Sequence, residues 1–397
     1  YLWYKDGVST GITTATYTPI ILNASSSFYC ELTDAACGTA QSNTISITVY
    51  DDLGATIAGG NSPICYGSAP GTLTASGTGG TGSYTYQWYT LSGIITGATF
   101  AGYSPGNLTA TTTYYCAVTS GSCGTVNTPN KVITVYGNLS ASISGGSSPI
   151  CYNTAPGTFT ATASGGTGTY SYQWYSTSGI IDGATNSTYS PGNLTATTGF
   201  YCAITSGSCG TANTSTTTIT VYDAVSAVAS GGTSPVCYNT APGTFTATGG
   251  GGDGSYTYLW YKDGGSTGIT TQTYAPGALT ADASFYCDIT SGSSCGTKRS
   301  NTINVHVYSD FTVGITGGTT PICYNTAPGT FTASASGGTG SYTYQWYTTN
   351  GPISGATNST YSPGNITQSI GYYCEITSTP CGTLATSTIN IVVHGNL

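Results

Sequence analysis

The sequence predicts an all-β chain built as a tandem array. Three observations carry that prediction: a tryptophan that returns at a fixed long interval, strict alternation around it, and a shortage of helix-forming residues. The stretch Gly80-Thr-Gly-Ser-Tyr-Thr-Tyr-Gln-Trp-Tyr89 recurs at Gly166–Tyr175, Gly252–Tyr261 and Gly338–Tyr347, and a shortened copy, Tyr1-Leu-Trp-Tyr4, opens the chain. The five tryptophans, Trp3, Trp88, Trp174, Trp260 and Trp346, stand 85, 86, 86 and 86 residues apart. Self-similarity at such a period marks an array. Within the stretch Tyr84, Tyr86 and Trp88 fall on one face and Thr85, Gln87 and Tyr89 on the other, the period of a strand with one side in a core. Glu, Lys, Arg and Leu are scarce and Met is absent, so helix is improbable. Thr, Tyr, Val and Ile suit half-buried strands.

The repeat sets the boundaries. We read a partial unit over 1–50, whole units over 51–136, 137–222, 223–308 and 309–394, and the start of a further one at 395–397. The chain thus reads as a segment of a longer array. Charged residues make up 5% of it and the formal net charge is −8. Five Lys and Arg rule out a phosphate-binding surface of the usual kind, so no nucleic-acid partner is expected. No basic amphipathic helix or membrane-inserting stretch is present.

Unit 51–136 serves as the type. Ala55–Ala58 reads as a first strand, followed by a link through Pro63, Cys65 and Pro70. Thr72–Ala75 is the second strand, with Leu73 and Ala75 inward. Gly77–Ser83 is a glycine-rich turn into the tryptophan strand. Ile94–Thr99 and Tyr103–Leu108 read as short strands, Tyr114–Val118 as a further strand, Ser120–Gly124 as a turn, and Lys131–Tyr136 as the last strand, with Ile133 and Val135 inward. About seven strands with turn chemistry every ~8–12 residues predict a β-sandwich. Junctions such as Tyr136–Leu139 leave ~2–4 residues between units, too few for hinge-like freedom. At ~35–40 Å per sandwich the array would form an elongated rod of roughly 150–200 Å.

Leu73-Thr-Ala75, Trp88 and Tyr114-Tyr-Cys116 resemble the Leu-x-Cys, Trp and Tyr-x-Cys landmarks of an immunoglobulin domain. The first of the two landmark cysteines is replaced by Ala75, Ala161, Ala247 and Ala333, so the usual inter-sheet disulfide is excluded. The fuller pattern is a Cys before the second strand, Tyr-x-Trp-Tyr, a Tyr-x-Pro-Gly-x-Leu-Thr-Ala run, Tyr-Tyr and a late Cys-Gly. It resembles the tandem bacterial Ig-like repeats of very large secreted cell-surface adhesins and filament proteins. That resemblance implies a tandem array of immunoglobulin-like β-sandwich domains in an extracellular, cell-surface setting.

Fourteen cysteines at matched positions, without metal spacing, read as disulfide chemistry in an oxidising compartment. Each whole unit holds three: Cys65, Cys116 and Cys123; Cys151, Cys202 and Cys209; Cys237, Cys287 and Cys295; Cys323, Cys374 and Cys381. Alternation turns Cys116 inward, where it reads as a small buried hydrophobe, as do Cys30, Cys202, Cys287 and Cys374. The resemblance implies that the remaining two pair within the unit, Cys65 with Cys123 and so on. Cys116–Cys123, Cys65–Cys116 and bonds between units or chains stay open, because a standard topology places Cys65 and Cys123 at opposite ends.

If Trp88 and Tyr114 point in, Tyr89 and Tyr115 point out on neighbouring strands. The array repeats the pair as Tyr4 and Tyr29, Tyr175 and Tyr201, Tyr261 and Tyr286, and Tyr347 and Tyr373. These pairs read first as cross-strand stabilisation, then as contact patches for packing against neighbours or for glycans. Neither His306 nor His394 belongs to a repeated constellation, and no nucleophile has a matched base, so no catalytic residue, metal or cofactor is expected. Asp51, Asp52, Asp223 and Asp310 gather near junctions as solvated residues, with bridging calcium a lesser alternative. The function expected is non-enzymatic: the structural and adhesive stalk of an extracellular fibre or surface adhesin, stiff and disulfide-stabilised, partnering itself, other surface proteins or glycans. A carbohydrate-binding array and a spacer beside a secreted enzyme are the rival expectations.

Overall fold

The structure is a computed structural model describing residues 1–395. Residues 396 and 397, part of the expected opening of a further unit, lie outside the described residues. Packing divides the chain into two compact units, one of residues 1–145, 158–190 and 199–217, the other of residues 146–157, 191–198 and 218–397.

In the first, the 51–136 repeat shows why this sequence makes a sandwich. Gly54–Gly59, Leu73–Thr78 and Gly102–Tyr103 form a three-stranded antiparallel sheet with Leu73–Thr78 in the middle. The opposing sheet runs Gly93–Ile94, Thr85–Thr90, Thr112–Thr119, Thr125–Asn127, and Lys131–Ile133 pairs with the other end of Thr112–Thr119. Alternation fills the space between them. Leu73 and Ala75 project from one sheet, and Trp88, Tyr114, Cys116, Val118 and Ile133 from the other, all buried. The link after the first strand crosses over: Ile64 bridges Val135 in parallel, so the segment joins the second sheet beside the last strand. Two sheets divided in this way, with a parallel crossing segment, are the immunoglobulin-like arrangement. Residues 1–50 form one five-stranded sheet built on Leu2–Lys5 and Ser26–Asp34.

The second unit repeats the design. Ser226–Gly231, Phe245–Gly250 and Thr273–Tyr274 oppose Tyr256–Lys262 and Ala283–Ser291; Thr312–Gly317, Phe331–Ser336 and Thr360–Tyr361 oppose Thr343–Thr348 and Ile370–Ser378. Ile322–Cys323 runs parallel to Val393–His394, the counterpart of the Ile64–Val135 crossing. Here Phe245 and Phe331 take the place of Leu73 and are fully buried beside Trp260 and Trp346.

Four segments differ from the sequence reading. Of the expected Ile94–Thr99 strand only Ile94 pairs, in a two-residue strand Gly93–Ile94. Ile95 N donates to Trp88 O at 3.0 Å and Ala98 N to Ile95 O at 3.1 Å, folding the chain back at Gly97, whose φ is +77°. The expected Tyr103–Leu108 strand stops at Tyr103, and Leu108 instead exchanges bonds with the link at Ser68. Lys131–Tyr136 breaks after Ile133, and Thr125–Asn127, to which the sequence reading gave no element, is a strand on the edge of Thr112–Thr119. No helix among the described residues is long and apolar enough to cross a membrane.

Candidate functional site: bonded cysteines and stacked tyrosines

The buried cysteine is an ordinary core group. Cys116 is directly opposite Trp88 in register, as are Cys202 and Trp174, Cys287 and Trp260, and Cys374 and Trp346. Cys116 N donates to Thr128 Oγ1 at 3.0 Å, and its thiol reaches Ala117 O. Burial pushes the thiols of Cys116, Cys202 and Cys287 above the usual value, and that of Cys374 up to about 11. A thiol held protonated behind tryptophan is a poor nucleophile. The indole N–H of Trp88 is satisfied by Phe100 O at 2.9 Å, so the core carries no orphan donor there.

Six of the other nine cysteines bond between repeats, which corrects the expected pairings within a repeat (Cys65 with Cys123, Cys151 with Cys209, Cys237 with Cys295, Cys323 with Cys381). The bonds are Cys65–Cys209, Cys151–Cys295 and Cys237–Cys381, each spanning 144 residues. Their Cα separations of 5.3, 5.2 and 5.4 Å lie within disulfide geometry. Topology supplies the reason. Cys65 follows Ile64, whose backbone brackets Thr134 and Tyr136 where the chain leaves the repeat. Cys123 lies in the turn after the cysteine strand, a turn whose first residue, Ser120, bonds Thr81 and Ser83 at the end where the chain enters. The two are at opposite ends of one sandwich, but the exit of one repeat meets the entry of the next. Cys37, Cys123 and Cys323 are free and exposed; Cys30, Cys116, Cys202, Cys287 and Cys374 are free and buried.

Each junction is clasped by the glycine turn. Gly80 N donates to Asp51 O at 2.9 Å, and Gly166, Gly252 and Gly338 do the same to Gly137, Asp223 and Ser309. At Gly79, φ is +68° and a Cβ would run into the Asp52 carbonyl, so only glycine lets the junction lie this close. Two groups that the sequence reading missed lock the turn. Tyr84 Oη donates to Gly79 O at 2.8 Å. Ser120, fully buried, accepts from Thr81 N at 2.9 Å and donates to Ser83 O at 3.0 Å. Ser206, Ser291 and Ser378 are its counterparts, so recurrence of a serine at the turn was the available signal. The junction carboxylates make no cation cage: no group of three His, Cys, Asp or Glu placed to hold a metal occurs among the described residues.

On the outer face the tyrosines pair as rings stacked on rings. Tyr4 and Tyr29, Tyr89 and Tyr115, Tyr175 and Tyr201, Tyr261 and Tyr286, and Tyr347 and Tyr373 have centroids 4.8, 5.0, 4.9, 4.8 and 5.0 Å apart and planes within 13°. All are half-buried, each covering one face of the other. The neighbourhoods differ. Hydrogen bonding to Glu31 raises the Tyr4 hydroxyl pKa, and Glu375 does the same for Tyr347. Over Tyr286 lies the Arg299 guanidinium, 4.1 Å from the ring centre and bonded to Asp288 at 2.8 and 3.0 Å. That carboxylate raises the Arg299 pKa further. His306 Nδ1 meets the Asp282 carboxylate at 3.0 Å; Asp282 also accepts from Val307 N, the place Thr111 fills for Val135.

Sheets, crossing segments and cores define the class: a tandem array of immunoglobulin-like β-sandwich domains tied by disulfides. Residues 54–137, 140–223, 226–309 and 312–395 each match the family described as "Domain of unknown function (DUF8696)", and the chain belongs to that family. No curated protein matches the chain. Among solved structures, the N-terminal eight Ig domains of Down Syndrome Cell Adhesion Molecule are similar at 13% identity over 99% of this chain and 68% of that one, with a TM-score of 0.36. Three N-terminal domains of the bacteriophage RB49 Highly Immunogenic Outer Capsid protein are similar at 12% identity over 65% of this chain and 100% of that one, TM-score 0.35. Sidekick-1 immunoglobulin domains 1–4 are similar at 14% identity over 87% of this chain and 100% of that one, TM-score 0.31. At these values no functional argument rests on the likenesses.

Proposed function

We propose that this chain is the structural and adhesive repeat region of an extracellular fibre or cell-surface adhesin, of the bacterial Ig-like kind that its sequence resembles, and that it is not an enzyme. The observation that carries the reading is the bonding of each repeat to the next by Cys65–Cys209, Cys151–Cys295 and Cys237–Cys381. Such bonds persist in an oxidising compartment, and they resist separation of neighbours rather than shaping a pocket. Its folding units are 51–136, 137–222, 223–308 and 309–394, with 1–50 a partial copy. The half-exposed tyrosine stacks are its contact patches, for neighbouring copies or surface partners.

The test is immunogold electron microscopy of intact producing cells or particles with antibody against the purified chain. Label on external filaments or the cell surface, with all three bonds found by peptide mapping, is the expected result. Label confined to the cell interior, with those cysteines reduced, would overturn the reading. A glycan array with the wild-type chain and a Tyr89→Ala/Tyr115→Ala variant addresses the rival carbohydrate-binding role; sugar binding lost in the variant would replace the fibre reading.

A further inference from the structure

We propose that two of the stacked pairs, Tyr347 with Tyr373 and Tyr4 with Tyr29, are modification sites at which an oxidant joins the two rings into one dityrosine within the repeat. The step takes its oxidant from the extracellular setting of the fibre reading and adds a covalent tie between strands.

Register brings the rings together. Tyr347 lies directly opposite Tyr373 on the antiparallel neighbours Thr343–Thr348 and Ile370–Ser378. Their ring centroids are 5.0 Å apart and their planes 8° from parallel. Coupling needs the carbon beside the oxygen-bearing carbon of one ring to meet its equivalent on the other, and an offset stack sets ring against ring. Holding the two in place turns a chance encounter into a step between neighbours. Both rings are half-buried, fixed by the sheet yet open to solvent.

A carboxylate sets these two pairs apart. Glu375 follows Tyr373 by two residues, so both side chains leave the strand on one face. It lies opposite Gln345, two residues before Tyr347. The Tyr347 hydroxyl donates to the Glu375 carboxylate, and the Tyr4 hydroxyl donates to Glu31 in the same way. A phenol gives up an electron more readily when its proton leaves too, and a carboxylate at the hydroxyl accepts that proton. Ala117 and Ala203 hold the place of Glu375 beside Tyr115 and Tyr201. Beside Tyr286 the place is held by Asp288, but Arg299 occupies both its oxygens and lies 4.1 Å from the ring centre. A cation over the ring is attracted to its electrons and opposes their removal.

The step balances with hydrogen peroxide as oxidant, acting through a haem peroxidase. Each phenol gives up one electron and one proton, that of Tyr347 to Glu375 and that of Tyr373 to water. The two radicals pair their electrons in a new carbon–carbon bond between ring positions ortho to the oxygens. The hydrogen on each of those carbons leaves as a proton, each phenol oxygen takes one up, and both rings are aromatic again. Two hydrogen atoms have left the protein, one hydrogen peroxide has become two waters, and Glu375 passes its proton to solvent.

The experiment treats the purified full chain with peroxidase and hydrogen peroxide, and reads dityrosine fluorescence, gels and cross-linked peptides. Expected is fluorescence from a chain that still runs as a monomer of 40.1 kDa. Peptides of Tyr347 and Tyr373, and of Tyr4 and Tyr29, are linked and lighter by two hydrogens. Tyr373→Phe keeps a ring in the stack and loses the first link alone. Glu375→Gln slows that link by at least about tenfold, to the rate at Tyr175 and Tyr201, and leaves the link at Tyr4 and Tyr29 unchanged. Four results would each overturn the proposal: no link between Tyr347 and Tyr373, an equal yield at Tyr175 and Tyr201 in the wild-type chain, an unchanged rate in Glu375→Gln, or coupling carried by the exposed Tyr66, Tyr152, Tyr238 and Tyr324. Immunogold location is read separately. External label on a chain that does not couple fails the cross-link alone, whereas interior label with reduced cysteines fails the fibre reading.

Discussion

Cys116 and Cys65 belong to the same repeat and do opposite work. Cys116 is buried against Trp88 and bonds to nothing covalently; Cys65 stands at the rim and bonds to the following repeat. An immunoglobulin domain places its disulfide across the core, between the positions held here by Ala75 and Cys116. In this chain the small core is held by aromatic and aliphatic packing alone, and the covalent constraint has moved to the seams. The comparison teaches that a sandwich of this size folds without its central bond when tryptophan, a large residue at position 73 or its counterparts, and a second aromatic fill the space. The cysteines are then available for joining domains.

The largest expected effect is on the core side. Trp88→Ala should cost about 3–5 kcal/mol in its repeat, read by hydrogen exchange localised to residues 51–136. If all repeats loosen equally, core and seam are one cooperative system and the contrast fails. Next is the seam: Cys65→Ser with Cys209→Ser should cost about 2–4 kcal/mol and appear in thermal melts as a lowered transition, with near-UV signals of Trp88 and Trp174 retained. Ser120→Ala removes a buried hydroxyl that serves Thr81 and Ser83, and should cost about 1–3 kcal/mol by urea denaturation; an unchanged midpoint would show the junction turn to be held by the glycines alone. Tyr115→Ala should cost only about 0.5–1.5 kcal/mol and leave the melt nearly as it was.

The last prediction separates the two thiol classes by pH. Because burial raises the folded-state pKa of Cys374 to about 11 from an unfolded value near 9.0, the group's contribution is complete below the unfolded value. It is lost as pH rises through about 11. Cys374→Ala should flatten that alkaline decline in stability. Native alkylation near neutral pH should modify Cys37, Cys123 and Cys323 and spare Cys374.

The sandwich could be read from the chain because its determinants are local. Trp88 recurs, Tyr114-Tyr-Cys116 alternates, and both patterns depend on neighbours in sequence. The direction of Cys116 followed from the same alternation. The partner of Cys65 did not. Cys123 and Cys209 occupy the same place in successive copies, so no property of either residue distinguishes them; only the geometry that sets exit against entry does. Ser120 was passed over for a similar reason: in a chain rich in serine, its value lies in the Thr81 and Ser83 backbone groups that the fold brings to it. Thr125–Asn127 was hidden by its brevity, since three residues are too few for alternation to register.

The three bonds overlap along the chain, Cys151 preceding Cys209 and Cys237 preceding Cys295. Every peptide bond from residue 65 to residue 381 is therefore spanned by at least one of them. A protease that cuts once anywhere in that interval opens the backbone without releasing a fragment. Tension applied to the two ends has a covalent detour as well, from Cys65 to Cys209, along to Cys237 and across to Cys381, so a domain that unravels adds little slack to the oxidised molecule.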